Sequence, residues 1–262
     1  MEYVVICGVA IVVSALTLFS GFGLGTLLMP AFAVFFPISF AVAATAVVHL
    51  ANNLFKVFLV GRHADIKVVT RFALPAALCA ALGACLLGYF SDMTPIAHYT
   101  IGSRTCEVTI VKLMIAGLIG FFALWDLLPR FQQIAFDAKY ITLGGALSGF
   151  FGGLSGLQGA LRSAFLIRCG LGKEAFVATG VVATVVVDIS RLVIYGATFV
   201  AKDAAFAAGQ GATGLIAAGM LAAFLGSFIG VRLLRKTTMR EVQGIVGVML
   251  LLLAVGLGAG LV

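Results

Sequence analysis

The fold class this sequence predicts is an all-α integral membrane protein built from two inverted repeats. Three observations predict it. First, 62% of the 262 residues are hydrophobic and 10% are charged, with a mean hydropathy of +1.18. Soluble domains carry about 25% charged residues, so too few polar side chains are present to cover a water-soluble globule. Second, apolar runs long enough to cross a bilayer follow one another along the whole chain. Third, a Gly-rich interruption, a polar helical stripe and a helix with spaced glycines occur in the same order in each half. Together these exclude a secreted disulfide scaffold, a disordered chain and a soluble two-domain enzyme. The formal charge is +7, yet no basic run is interleaved with aromatics, so no nucleic-acid partner is expected.

The elements can be read in order. Met1-Glu2-Tyr3 lacks the basic start of a secretory signal, so the run from Val4 reads as a mature membrane segment. Val4 to Phe36 is too long for one ordinary spanning helix of about 17–25 residues and too short for two full ones. It is interrupted by Ser20-Gly21-Phe22-Gly23-Leu24-Gly25. Ile38 to Val60, Phe72 to Phe90 and Thr109 to Leu128 are plain spans. Ile141 to Cys169 repeats the oddity, interrupted between Gly149 and Gly159. Glu174 to Phe199, Gly209 to Leu234 and Val242 to Val262 complete the set. Breaking a helix inside a membrane is tolerated only where protein or a water-filled cavity satisfies the freed backbone groups.

The second set of segments repeats the first. Ala41 to Thr45 recurs as Ala175 to Thr179; Asn53, Lys56 and Gly61 match Asp188, Arg191 and Gly196; Leu78 to Ala84 matches Leu221 to Ser227. One transmembrane domain over 1–262 is therefore expected, with repeats of about 1–133 and 134–262. Gly83, Gly88, Gly226 and Gly230 fit close helix packing.

Basic residues set the orientation. If each interrupted stretch crosses once, giving eight crossings, the gap holding Arg62, Lys67 and Arg71 faces opposite to that holding Arg232, Arg235, Lys236 and Arg240. If each counts as two segments, giving ten, those two gaps share one side with Arg130, Lys139, Arg168 and Lys173. The other side keeps Arg104, Lys112, Arg162 and Lys202. Cytoplasmic flanks collect Lys and Arg, so the ten-segment arrangement fits better. Five segments per half then invert the repeats and place both termini outside. The alternative, a re-entrant hairpin or bent helix at each break, is expected to give eight crossings and a parallel repeat.

Polar residues at membrane depth are costly and normally face a bundle interior or a substrate path. His49, Asn52, Asn53 and Lys56 share one face of their helix, and Thr184, Asp188 and Arg191 repeat the spacing. Each has two readings. Lys56 snorkels to the headgroups or faces the substrate; Arg191 pairs with Asp188 or binds an anion. His49 and Asp188 are either packed polar residues or the candidates for proton coupling. Asn52 and Asn53 are interhelical glue or ligands. At the second break, Ser155, Gln158, Arg162 and Ser163 surround the start of a short helix, whose orphan N–H groups and positive dipole end form an anion site. Other chemistry is thinly signalled. HExxH, GxSxG and Walker A motifs are absent, the three His share no metal-ligand spacing, and the five Cys form no CxxC pair. No cofactor, metal or catalytic residue is expected, and Ser190 with His49 is the single thin enzyme pair.

The Gly-rich run to Pro30, the Ala41 to Thr45 helix, Gly61-Arg62-His63-Ala64-Asp65, and their counterparts Gly152 to Ala164 and Ala175 to Thr179 resemble the TauE/SafE family of sulfite and organosulfonate exporters. The sequence departs from that pattern where the second repeat usually has Pro and this chain has Arg162-Ser163-Ala164, and where Leu157-Gln158 breaks the glycine run. The resemblance implies a multi-pass inner-membrane transporter exporting small anions such as sulfite or sulfoacetate by alternating access, as uniport or coupled to protons. A second cation at the break suits a sulfonate that also bears a carboxylate. The partners expected are that anion and the lipid bilayer, and a homodimer is compatible with the sequence. The rival class is a membrane scaffold or assembly subunit without transport.

Overall fold

The computed structural model describes residues 1–17, 24–102, 104–132, 134–200, 211–233 and 239–261. Most of the first Gly-rich break, with Lys202, Arg235 and Lys236, lies outside the described residues. The first interrupted stretch forms α1 (Glu2–Thr17) and α2 (Leu24–Ala33), followed by α3 (Ile38–Val60) and α4 (Ile66–Ser91). A hairpin of β1 (Ala97–Ile101) and β2 (Arg104–Val108) leads into α5 (Ile110–Leu127) and the single turn α6 (Pro129–Gln132). The second stretch forms α7 (Ile141–Ser155) and α8 (Gly159–Leu166), then come α9 (Lys173–Tyr195), α10 (Ala212–Leu233) and α11 (Met239–Gly258).

Boundaries follow local chemistry. Pro37 precedes α3, whose last turn tightens at Gly61–His63. The Asp65 carboxylate caps α4 by accepting from the Val68 amide at 3.1 Å, and Thr109 caps α5 through the Lys112 amide at 3.2 Å. α9 ends at Gly196 in a wide π turn, Gly196–Val200, so the two glycines matched in sequence both end their helices. The hairpin is an addition to the all-α expectation. Its strands are rich in Thr, Tyr, Val and Ile, pair in register from Ala97–Val108 to Ile101–Arg104, and turn through Gly102 at φ +63°.

Four of the described helices, α3, α4, α9 and α10, are long and apolar enough to cross a membrane; α1, α5 and α11 contribute shorter apolar stretches. Leu74, Leu78 and Leu82 on α4 and Leu221, Leu225 and Phe228 on α10 are exposed, an outward apolar surface that lipid covers. α8 is about 12 Å long and α2 about 15 Å, against a hydrocarbon layer of about 30 Å. α8 runs back along α7: Gln158 borders Gly152, the Phe165 ring lies on Gly144, and Phe136, ahead of α7, stacks on Phe165 at 4.2 Å. The α7–α8 segment therefore returns towards the end at which it began. Ile6 early in α1 and Phe32 late in α2 likewise meet at Gly219, so α2 also folds back.

Helix contacts cross between the halves. α4 lies along α7 in the same direction, where Gly145, Gly149 and Gly153 take the place of side chains: a Cβ on each would sit 2.2, 2.0 and 2.0 Å from the carbonyl oxygens of Phe72, Ala76 and Ala80. α10 lies along α1 in the same sense, and a Cβ on Gly226 would sit 2.3 Å from the Ile11 carbonyl. Gly83 and Gly226 thus do the packing work expected of them; a Cβ on Gly83 would sit 2.2 Å from the Phe150 carbonyl oxygen. α5 and α11 run antiparallel, with Gly247 against Leu127 and Gly258 against Ala116. At one end of the molecule His63 pairs with Glu174 at 3.6 Å and Arg168 with Asp137 at 3.2 Å. At the other, the Tyr99 hydroxyl donates to the Ala259 carbonyl.

Candidate functional site

The site begins where α7 stops. Gly156 takes φ +83°, a left-handed cap that a side chain would strain, and a Cβ there would stand 3.0 Å from Arg191 Nη1. α9 adds donors to carbonyls at the end of α7, where the Gly152 oxygen also accepts from the Gly156 amide at 2.9 Å. Arg191 Nη1 donates to the Gly152 carbonyl at 3.2 Å, and the Tyr195 hydroxyl donates to that of Gly153. Protein groups thus meet two of the carbonyls at the break, as an interruption in hydrocarbon requires. Ser148 fixes its far side by donating to the Gln158 carbonyl at 3.0 Å.

Asp188, fully buried on α9, is the hub. Its Oδ1 accepts from Arg191 Nη2 at 2.7 Å, Arg191 Nε at 3.0 Å and Gln158 Nε2 at 3.3 Å. Its Oδ2 is 2.7 Å from His49 Nδ1 on α3. One carboxylate thereby ties α3 to α9 and to the entrance of α8. Asn53 Nδ2 donates to the His49 carbonyl at 2.8 Å. Arg162, 7% exposed, donates through Nη1 to the Thr184 hydroxyl, which in turn donates to the Gly180 carbonyl at 2.8 Å. Lys56 and Arg162 lie within electrostatic range of one another, and Arg162 within range of Asp188. The charged cluster sums to three cations against one carboxylate.

The first turn of α2 meets the second break here. A Cβ on Gly25, in the first turn of α2, would lie 3.5 Å from the Gly156 carbonyl and 3.6 Å from His49 Cδ2. The N-terminal turn of α2, the cap of α7 and the start of α8 thus converge beside Arg191 and His49.

Of the residues singled out in the sequence, His49, Asn53, Gln158, Asp188 and Arg191 form one hydrogen-bonded network, with Arg162 and Lys56 adjoining it. Asp188 and Arg191 pair as one of their two readings has it. His49 bonds the Asp188 carboxylate, so the two candidates for proton coupling stand together. Asn52 turns elsewhere: its Oδ1 accepts from Ser227 on α10 at 2.8 Å. Ser155 donates to Phe151 of its own helix at 3.0 Å, and Ser163 is half-buried on α8. Arg162, counted in the sequence on the outer side, instead stands beside Thr184, midway along α9. The thin enzyme pair does not assemble, since Ser190 donates to the Ala77 carbonyl at 2.6 Å while His49 is engaged with Asp188. Sequence reading missed Tyr195, although it continues the stripe Thr184, Asp188, Arg191 at the next helical turn, and it missed Ser14 with Ser227, 2.7 Å apart between α1 and α10. Outside the spans, burial and the Asp65 carboxylate push the Cys169 thiol up, which suits an inert packing role. Among the described residues, no three His, Cys, Asp or Glu side chains stand together as a metal would need.

A family model described as "Sulfite exporter TauE/SafE" matches residues 6–257, nearly the whole chain. The chain belongs to the TauE/SafE family. No curated protein and no solved structure matches it. Membership makes it a membrane protein of a sulfite-exporter family, with a small anion as the class of solute and lipid as its surroundings. The cation excess where the first turn of α2 meets the second break is chemically suited to such a solute.

Proposed function

We propose that this TauE/SafE protein exports sulfite or an organosulfonate such as sulfoacetate across the inner membrane by alternating access. The observation that carries the proposal is the meeting of the first turn of α2 with the second break beside Arg191 and His49, with Arg162 and Lys56 adjoining and Asp188 the one carboxylate among the described residues there. Half-helix N-termini aimed at an anionic group near the midplane are a recurring way for secondary transporters to hold substrate. Arg162, which also holds the Thr184 hydroxyl, and Lys56, with the first amides of α8, are the proposed ligands for the anion's oxygens. Gln158, Ser155, Ser163 and Asn53 line or support that position, while Asn52 serves the α3–α10 contact. Export down the membrane potential gains about 2.3 kcal/mol per charge per 100 mV, so uniport needs no ATP.

We read the chain as one transmembrane domain with repeats of about 1–133 and 134–262, inverted relative to each other. The matched pairs α3/α9 and α5/α11 run antiparallel, and α4–α7 packing is mirrored by α10–α1; both support inversion. The sequence-level expectation that a re-entrant hairpin implies a parallel repeat does not follow. A hairpin that returns to its own side adds no net crossing, so three spanning helices per half still invert the second. The loop sides are then those of the ten-segment arrangement, with Arg62, Lys139, Arg168 and Lys173 at the cytoplasmic end.

The test is counterflow in liposomes containing the purified protein, with sulfite, sulfoacetate, taurine and sulfate compared. Saturable exchange of sulfite or sulfoacetate is expected. No flux of any of the four overturns the proposal.

A further inference from the structure

We infer that His49 is a proton-binding site linked to the anion site, so that anion and proton bind cooperatively; this rests on the transport reading above. The imidazole bridges the two halves. Nδ1 is 2.7 Å from Asp188 Oδ2, and Asn53 Nδ2, itself a donor, lies 3.2 Å from the same nitrogen. A nitrogen facing both a carboxylate and an amide donor is protonated towards the carboxylate, so the neutral ring carries its proton on Nδ1. Nε2 is then the basic position. It has no hydrogen-bond partner among the described residues, and it faces the first turn of α2, where a Cβ on Gly25 would be 3.8 Å away. A proton added there turns Nε2 into a donor directed at the first turn of α2.

The surrounding charges make that proton conditional. The charged groups around the ring are Asp188 and Arg191 on α9, with Arg162 on α8 and, two turns along its own helix, Lys56. The Tyr195 hydroxyl is committed to the Gly153 carbonyl. α2 contributes no titratable residue, and α10 none between Ala212 and Val231. The carboxylate is already shared with Arg191, so the empty site is net positive around the ring. An anion between Arg162 and Lys56 cancels that field, and by reciprocity the proton then strengthens anion binding. His is the side chain whose ordinary range lets such a change act near neutral pH. A monoanion carried with this proton moves no net charge, whereas a dianion moves one.

The test uses protein carrying His63→Gln and His98→Gln, which leaves His49 as the one imidazole for 15N-histidine NMR, with sulfite as the probe. At a fixed pH, saturating sulfite is expected to increase the ratio of doubly to singly protonated His49 roughly tenfold. In liposomes, His49→Gln is expected to lower the number of protons moved per sulfite, a ratio that does not depend on how much flux the variant retains. An unchanged His49 titration while sulfite binds overturns the inference, as does His49→Gln with the wild-type proton-to-anion ratio. Failure of sulfite to bind or move in the parent protein overturns the transport reading itself.

Discussion

Replacing Asp188 with Asn isolates the charge at the hub of the site. The amide keeps the shape of the carboxylate but removes its negative charge and turns one oxygen into a donor. That donor would meet Arg191, which is 1% exposed, or His49, each of which now donates into the carboxylate at 2.7 Å. Removing one partner of a buried ion pair costs about 3–5 kcal/mol, because the other charge is left uncompensated. Bilayer hydrogen bonds measured by double-mutant cycles are weaker, averaging about 0.6 kcal/mol, so the lower end, about 3 kcal/mol, is expected here. The assay is reversible unfolding in mixed detergent micelles. Asp188→Asn combined with Arg191→Met is expected to recover at least half of the loss, since no orphan charge is then buried. A single variant within about 1 kcal/mol of the parent would refute the hub assignment, and so would a double variant no more stable than the single.

Gly153→Ala and Gly226→Ala each drive a methyl into backbone at 2.0 and 2.3 Å and are expected to destabilise by about 1–3 kcal/mol, whereas Gly117→Ala, with nothing within 4 Å, should be neutral or slightly stabilising; the same unfolding assay checks all three. Asp65→Ala removes the cap of α4 and is expected to cost about 0.5–2 kcal/mol in that assay. A reporter fused to the C-terminus should read outside the cytoplasm, on the same side as an epitope placed at the Gly102 turn, because Tyr99 holds Ala259 at that end.

Most of the helical architecture was legible in the sequence because a bilayer imposes length and apolarity on each span. Ile38 to Val60 was read to the residue, and the interrupted stretches each became two short helices. The hairpin at 97–108 was passed over because its alternating Thr, Tyr and Val carry no apolar run, although its strand formers around Gly102 were a signal. The site was legible as two stripes and a break. Their partners were not, because helical spacing places residues on one face without saying which helix that face meets. Asn52 shares a face with His49 on paper, yet three residues are 300° of turn, enough for it to reach α10 while His49 reaches α9. Arg162 was assigned to the wrong depth for a related reason: a loop count assumes that both arms of an interrupted stretch reach a surface, and α8 starts inside the protein. The Asp188 hub needed three dimensions, since His49, 139 positions away, is brought to it by packing between the two halves.

The most direct measurement is liposome flux of sulfoacetate, a dianion, against methanesulfonate, a monoanion, for the parent protein and Arg162→Ala. Charge-assisted hydrogen bonds contribute about 1.5–3 kcal/mol, so the substitution should slow sulfoacetate by roughly tenfold or more relative to methanesulfonate. No loss for either anion would contradict an anion held between Arg162 and Lys56, and equal loss for both would contradict Arg162 as the added cation for a carboxylate.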